Sequence, residues 1–196
     1  MRLPTLLFYF FLLLTVACVA LADNTITVDQ VGSNNTFTIE QTGNGHSATV
    51  IAGKISDADY TTFAITQQGT GAKTAAIEVK SGSNNSITVA QDGAGNHTAS
   101  IQNFTGSGNI ISLNQTGAGK HELNVINNAG TTNSGNTVNA TQSGGAGSDK
   151  WFNVWFAGAT GATVNVVQDN PTAPDQASMN VQCLSGTCGT YGYIKH

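Results

Sequence analysis

The sequence predicts an all-β fold: a parallel β-solenoid of stacked strand-turn-strand repeats with two facing sheets. Three observations predict it. Glutamines recur at 41, 67, 91, 115, 142 and 168, spaced 24 to 27 residues apart. Within the segment that ends at each glutamine, apolar and polar residues alternate with a period of two, the signature of a strand. Glycines follow most of these glutamines at fixed offsets, where a tight reversal needs a residue without a Cβ. A unit of this size cannot bury a core alone, so it must stack on its neighbours.

In chain order, residues 1–22 read as a secretory signal peptide. Met1-Arg2 gives a positive start, Leu3 to Leu21 is nearly all apolar, and Ala20-Leu21-Ala22 is a small-x-small cleavage site. An uncleaved anchor and a lipid-modified Cys18 are the alternatives. Residues 23–182 form the repeat domain, and residues 183–196 a cysteine-containing tail or cap. The whole chain of 196 residues has a net charge of −4, and cleavage also removes Arg2. An acidic chain without a basic face is a poor ligand for nucleic acid. Only 9% of residues are charged, and β-branched residues, Asn and Gln are plentiful, a composition suited to cross-β stacking.

The clearest unit runs from Asn85 to Gln102 and consists of two segments. First segments with the same spacing run Asn35–Gln41, Thr61–Gln67, Asn109–Gln115, Asn136–Gln142 and Ala162–Gln168, and Asn24–Gln30 supplies an N-terminal half-unit. One face of each takes the bracketing amides and the apolar residues between them: Asn24, Ile26, Val28, Gln30; Asn35, Phe37, Ile39, Gln41; Asn85, Ile87, Val89, Gln91. That face is expected to point inward, and the Thr-rich face outward. The turn glycines are Gly43 and Gly45, Gly69 and Gly71, Gly93 and Gly95, and Gly117 and Gly119.

Second segments are expected to face the first, with His46-Ala48-Val50-Ala52 and Asn96-Thr98-Ser100-Gln102 inward. Ala75-Ile77-Val79 and His121-Leu123-Val125-Asn127 are displaced by one residue, which points to a longer turn or a bulge.

A buried amide without partners costs about 1 to 3 kcal/mol. Identical amides stacked rung on rung can bond to one another. The expected amide ladder and polymerisation positions are Asn24, Gln30, Asn35, Gln41, Gln67, Asn85, Gln91, Asn96, Gln102, Asn109, Gln115, Asn136, Gln142, Gln168 and Gln182. Such a ladder also fixes register, because a slip sets an amide against valine.

Three longer connections interrupt the repeat: residues 53–60, 128–135 and 168–176. Asp57 and Asp59 in the first lack the full oxygen set of a calcium loop and read as a solvated turn. Trp151 to Phe156 is bulky on both faces, so one face must be exposed, covered by the 128–135 connection, or used against a partner. Cys183 and Cys188 are expected to pair in an oxidising compartment rather than to bind metal. Beyond Gln182 the alternation is lost. Gly186 and Gly189 point to a compact turn rather than another strand, capping the last rung or serving attachment.

No set of catalytic residues is visible. His46, His97 and His121 sit near turns in different units, and the acids are mostly single and outward. The chain therefore reads as no enzyme, with no metal and no cofactor.

The motif Ser/Asn-x5-Gln-x-Gly-x-Gly-Asn-x-Ala/Thr-x3-Gln resembles the curlin repeat of curli fibre subunits. Asn85 to Gln102 matches nearly throughout, and Asn35 to Ala52 matches with His46 in the Asn place and Ala52 in the final Gln place. The resemblance implies secretion, a β-solenoid and self-assembly into the functional amyloid of a biofilm matrix. It implies as partners a nucleator subunit, an outer-membrane secretion pore and accessory chaperones. It marks Asn35, Gln41, Asn85, Gln91, Asn96, Gln102, Asn109 and Gln115 as polymerisation positions. Alternatives are a minor nucleator or capping subunit, an adhesin, or an ice-binding solenoid using its outward threonines.

Overall fold

The computed structural model describes residues 23–30, 32–53, 58–79, 81–102, 105–127, 131–183 and 187–196. The signal peptide and Asp57 lie outside the described residues. Two seven-stranded parallel sheets face each other. One sheet, A, is built from β1 (Thr25–Gln30), β3 (Ser47–Ala52), β6 (Lys73–Val79), β9 (His97–Gln102), β11 (His121–Asn127), β13 (Lys150–Ala157) and β15 (Asp175–Gln182), in that order. The other, B, holds β2 (Thr36–Gly43), β5 (Thr62–Gly69), β8 (Ser86–Asp92), β10 (Ile110–Gly117), β12 (Thr137–Gly144), β14 (Thr163–Gln168) and β16 (Thr190–Lys195). The short strands β4 (Ala58–Asp59) and β7 (Gly82–Ser83) pair separately, between the turns of successive units.

A unit is a B strand, a turn and an A strand, so β2 faces β3, β8 faces β9, and β14 faces β15. Each strand lies one rung, about 4.8 Å, from its copy in the next unit. The core is the slab between the sheets. Sheet B contributes Phe63, Ile65, Ile87, Val89, Ile111, Leu113, Val138, Val164 and Val166, all essentially inaccessible. Sheet A answers with smaller residues at its N-terminal end, Ala48, Ala75 and Ala99, and larger ones later, Leu123 and Phe152. The B strands from β2 to β14 keep the inward phase read from the sequence, because the register runs Gln41↔Gln67↔Gln91↔Gln115↔Gln142↔Gln168 without a slip.

The structure differs from the sequence reading in three places. First, β1 has the same Asn-x-Ile-x-Val-x-Gln pattern as the B strands, yet it pairs with β3 in sheet A. Thr25 and Thr27 therefore lie on a different sheet from Thr36 and Thr38, and the outward threonines form no single array. Second, His97, Ala99 and Ile101 point inward, not Asn96, Thr98 and Gln102. Ser100 is buried as well, but from the outer side of the strand. The register pairs Lys73↔His97↔His121↔Lys150, so these turns bring one common column inward. It is the turn after Gln41 that is one residue shorter than those after Gln67, Gln91 and Gln115; no bulge is involved. Third, the chain beyond Gln182 does form a strand. In β16, Tyr191 and Tyr193 extend the columns of Val164 and Val166, and Lys195 extends that of Gln168. Tyrosines on alternate positions, with Gly192 between them, keep the period of two without the amide markers of the earlier units.

The turns explain the paired glycines in two different ways. Gly69, Gly93 and Gly117 adopt φ of 96°, 100° and 106°, which L side chains rarely adopt. Gly71, Gly95 and Gly119 do not have positive φ. At these positions a Cβ would collide with the backbone of the turn in the next unit.

In β13 the aromatic residues divide between the faces. Phe152 and Phe156 are fully buried, Trp151 is half-buried with its indole N–H donating to Glu122 (3.3 Å), and Trp155 is 43% exposed.

Candidate assembly site

The inward amides form a continuous ladder. Each Gln Nε2 donates to the Oε1 of the glutamine in the next unit: Gln41 to Gln67 (2.7 Å), Gln67 to Gln91 (2.9 Å), Gln91 to Gln115 (2.8 Å), Gln115 to Gln142 (2.9 Å) and Gln142 to Gln168 (2.8 Å). The same nitrogens also reach across the slab to backbone carbonyls of sheet A. Gln67 donates to Ser47 (3.0 Å), Gln91 to Thr74 (3.0 Å), Gln115 to Thr98 (2.9 Å) and Gln142 to Glu122 (3.0 Å). Both amide hydrogens are used. One joins rung to rung and the other joins sheet to sheet, so the buried amide is satisfied.

The asparagine column works differently. Asn109 N–H donates to Asn85 Oδ1 (3.0 Å), Asn136 N–H to Asn109 Oδ1 (3.0 Å) and Ala162 N–H to Asn136 Oδ1 (2.8 Å). Asn35 Oδ1 accepts in the same way from Thr61 N–H (2.8 Å). Here a side chain caps the backbone of the following unit where the chain crosses from one sheet to the other.

Four of the expected amides lie elsewhere. Asn96 is exposed in a turn, where its Oδ1 accepts from Ala72 N–H (2.9 Å). Gln102 and Gln182 are exposed on the outer face. Gln30 is exposed at the free end and donates to Gly32 O (3.1 Å). These placements correct the inward ladder expected for them. Asn24 does occupy a column, holding His46 N–H (2.9 Å) and Gly43 O (3.0 Å).

The sequence put His46 and His121 on the inward face but missed Lys73, His97 and Lys150. Together these five form a second buried column in sheet A, each no more than 1% exposed. It lines the turns and donates to their carbonyls. Lys73 Nζ reaches the oxygens of Gly71 (2.8 Å), Gly93 (2.9 Å) and Gly95 (2.7 Å). Lys150 Nζ bonds Asn170 O and Ala173 O. The His97 and His121 rings stack at 4.9 Å, with Nε2 against Asp92 O (2.8 Å) and Thr116 O (3.0 Å). A carbonyl only accepts, so Nε2 carries the proton in each ring. Burial pushes His97 down to about 4 against the pull of the Asp92 carbonyl, with His121 and Lys73 adding to the depression. Burial likewise lowers His121, Lys73 and Lys150. The signal was available in sequence: each of these residues stands two places before the first inward apolar residue of its strand.

Cys183 and Cys188 form a disulfide between β15 and β16. Among the described residues no group of three or more His, Cys, Asp or Glu side chains could hold a metal ion. Among the described residues both ends of the solenoid are open: β1 and β2 at one end, and β15 and β16 at the other, each have one edge with no partner strand.

The Curlin associated repeat family matches residues 22–51 and 82–117. The first block spans β1 to β3 and the second β7 to β10, so it includes two of the glutamine rungs described above. No curated protein and no solved structure matches the chain. The two family-matched blocks are set in one continuous solenoid whose glutamine ladder runs through both, so in these blocks the chain is similar to curlin-associated repeats.

Proposed function

We propose that the chain is a structural subunit of extracellular curli-like amyloid fibres in a biofilm matrix, growing by rung-on-rung stacking of solenoids. The observation that carries this reading is the open parallel sheet at both ends. Unpaired strand edges are templates for further strands, and the glutamine ladder offers the same bonding pattern to a second copy. The glutamines and asparagines of the inward columns are then the polymerisation residues. Residues 1–22 act as the signal peptide that directs secretion. A nucleator subunit, an outer-membrane secretion pore and accessory chaperones are the partners such a fibre requires, since open edges must be kept apart in transit.

The test is assembly of the chain from Asp23 onward. Soluble protein is expected to convert to thioflavin-binding fibres after a lag, and sonicated fibres to abolish the lag. Protein that stays monomeric at high concentration for days, with or without seeds, contradicts the reading.

A further inference from the structure

The two ends of the solenoid are each half a rung, and the halves are complementary. At the N-terminal end β1 extends sheet A by one strand, and no described strand lies opposite it in sheet B. All its residues are exposed, including Ile26 at 51% and Val28 at 42%, whereas their column neighbours Ala48 and Val50 are fully buried. At the C-terminal end β16 extends sheet B by one strand, no described strand lies opposite it in sheet A, and its inward Tyr191 and Tyr193 are only half-buried. We infer that one copy's β16 and the next copy's β1 combine into a single complete rung, so that neighbouring subunits join by a half-lap rather than by flush ends. This rests on the stacking reading above and specifies its joint.

The register supports it column by column. Continuing sheet B, the β2 of the next copy pairs with β16, setting Phe37 over Tyr191, Ile39 over Tyr193 and Gln41 over Lys195. Phe37 already stacks on Phe63 at 5.0 Å, so its other ring face is left for Tyr191. Continuing sheet A, the β1 of the next copy pairs with β15, and Ile26 and Val28 close over the two tyrosines. The sheets cross from one rung to the next between β1 and β2, and between β15 and β16, as they do within the chain.

A second observation is independent of shape. The glutamine ladder has a direction, each Nε2 donating to the Oε1 of the following unit. Its first acceptor, Gln41 Oε1, is buried and has no hydrogen-bond partner. A buried acceptor left bare is costly. The residue that the half-lap places in the preceding rung of that column is Lys195, which is exposed and has donors to spare. At the far end of the ladder Gln168 Oε1 already accepts from Gln142 (2.8 Å) and its Nε2 donates to Asp175 Oδ2 (2.8 Å), so the ladder within the chain closes without the Lys195 amine. β16 is held ready for this: Asp169 N–H donates to Lys195 O (3.1 Å), and Tyr193 O–H donates to the Asp175 carboxylate (2.9 Å). The tail is therefore one half of a joint, not a cap.

Three truncations of the chain from Asp23 test the joint, with seeded growth as readout and circular dichroism of the monomer as the folding control. Removing residues 23–32, or residues 183–196, leaves one half-rung unopposed at every joint and is expected to slow growth by about tenfold or more. Removing both makes the ends flush and is expected to restore growth towards the full-length rate. Lys195→Ala, a change at an exposed position that leaves folding intact, is expected to slow growth severalfold, and Lys195→Gln to preserve it by supplying the missing donor. If the full-length chain grows but both single truncations and Lys195→Ala grow equally fast, the half-lap is wrong and stacking stands. A double truncation slower than either single one also overturns the half-lap. If the full-length chain does not grow at all, stacking itself fails and the joint with it.

Discussion

Replacing two adjacent ladder glutamines, Gln91→Ala with Gln115→Ala, is expected to destabilise the solenoid by about 4 kcal/mol or more and to slow fibre growth strongly. The change strips Gln142 Oε1 of its donor and Gln67 Nε2 of its acceptor within the ladder. It also removes the cross-sheet bonds to Thr74 O and Thr98 O, and leaves two cavities in the slab. Each orphaned buried group costs about 1 to 3 kcal/mol. The matched outer-face pair, Thr88→Ala with Ser112→Ala, touches the same two strands from the other side. Surface changes of this kind stay within about 0.5 kcal/mol. Denaturation midpoints of freshly prepared monomer and seeded growth rates measure both effects. Equal behaviour of the two double variants would show that the ladder contributes nothing to stability or assembly.

Acid is expected to weaken the folded subunit well above the pH at which carboxylates titrate. The His97 ring has a folded-state pKa of about 4, below the ordinary 6.5. The slab accommodates the neutral ring, so the unfolded chain takes up a proton that the folded chain refuses. The contribution is fully present above about pH 6.5 and is lost as pH falls from there towards 4. His121, depressed in the same direction by the same burial, adds to the slope. Its neighbours reinforce this: the His column is bounded by Lys73 and Lys150, so a proton on either ring adds charge to a column that already holds two buried amines. The denaturant midpoint of the monomer should therefore fall between pH 7 and 4.5. The double variant His97→Gln with His121→Gln should be less stable at pH 7 but show a much flatter profile over that range. A wild-type midpoint constant across the interval would contradict the buried neutral column.

The sequence made sheet B legible and sheet A only partly so, for a physical reason. Each B strand from β2 to β14 is bracketed by markers that burial itself demands, an inward glutamine at its end and, in most units, an inward asparagine before its start. Two apolar positions lie between them, so the phase cannot drift. The A strands from β3 to β13 begin instead with an inward His or Lys, residues usually read as solvated. Their turns differ by a residue between the first unit and the next three. The repeat motif itself favours Asn96 and Gln102 as inward positions, whereas the backbone uses Asn96 as a turn acceptor and leaves Gln102 outside. β1 carries the B-strand pattern but lies in sheet A, where it pairs with β3, while β2 pairs with β5 in sheet B. β16 was hidden because Tyr-x-Tyr-x-Lys keeps the alternation of the strand while dropping its amides. Of the paired glycines expected at the turns, only the first of each pair after Gln67, Gln91 and Gln115 has positive φ. The second yields room to the next rung.

The most direct test of the central claim, that these solenoids stack along their own axis into a cross-β fibre, is X-ray diffraction from aligned fibres of the chain from Asp23. The account predicts a sharp meridional reflection at about 4.8 Å from the rung spacing and a broader equatorial one near ~10 Å from the two facing sheets. A 4.8 Å reflection on the equator, or fibres without one, would mean that the rungs do not run along the fibre and that the subunits associate by some other surface.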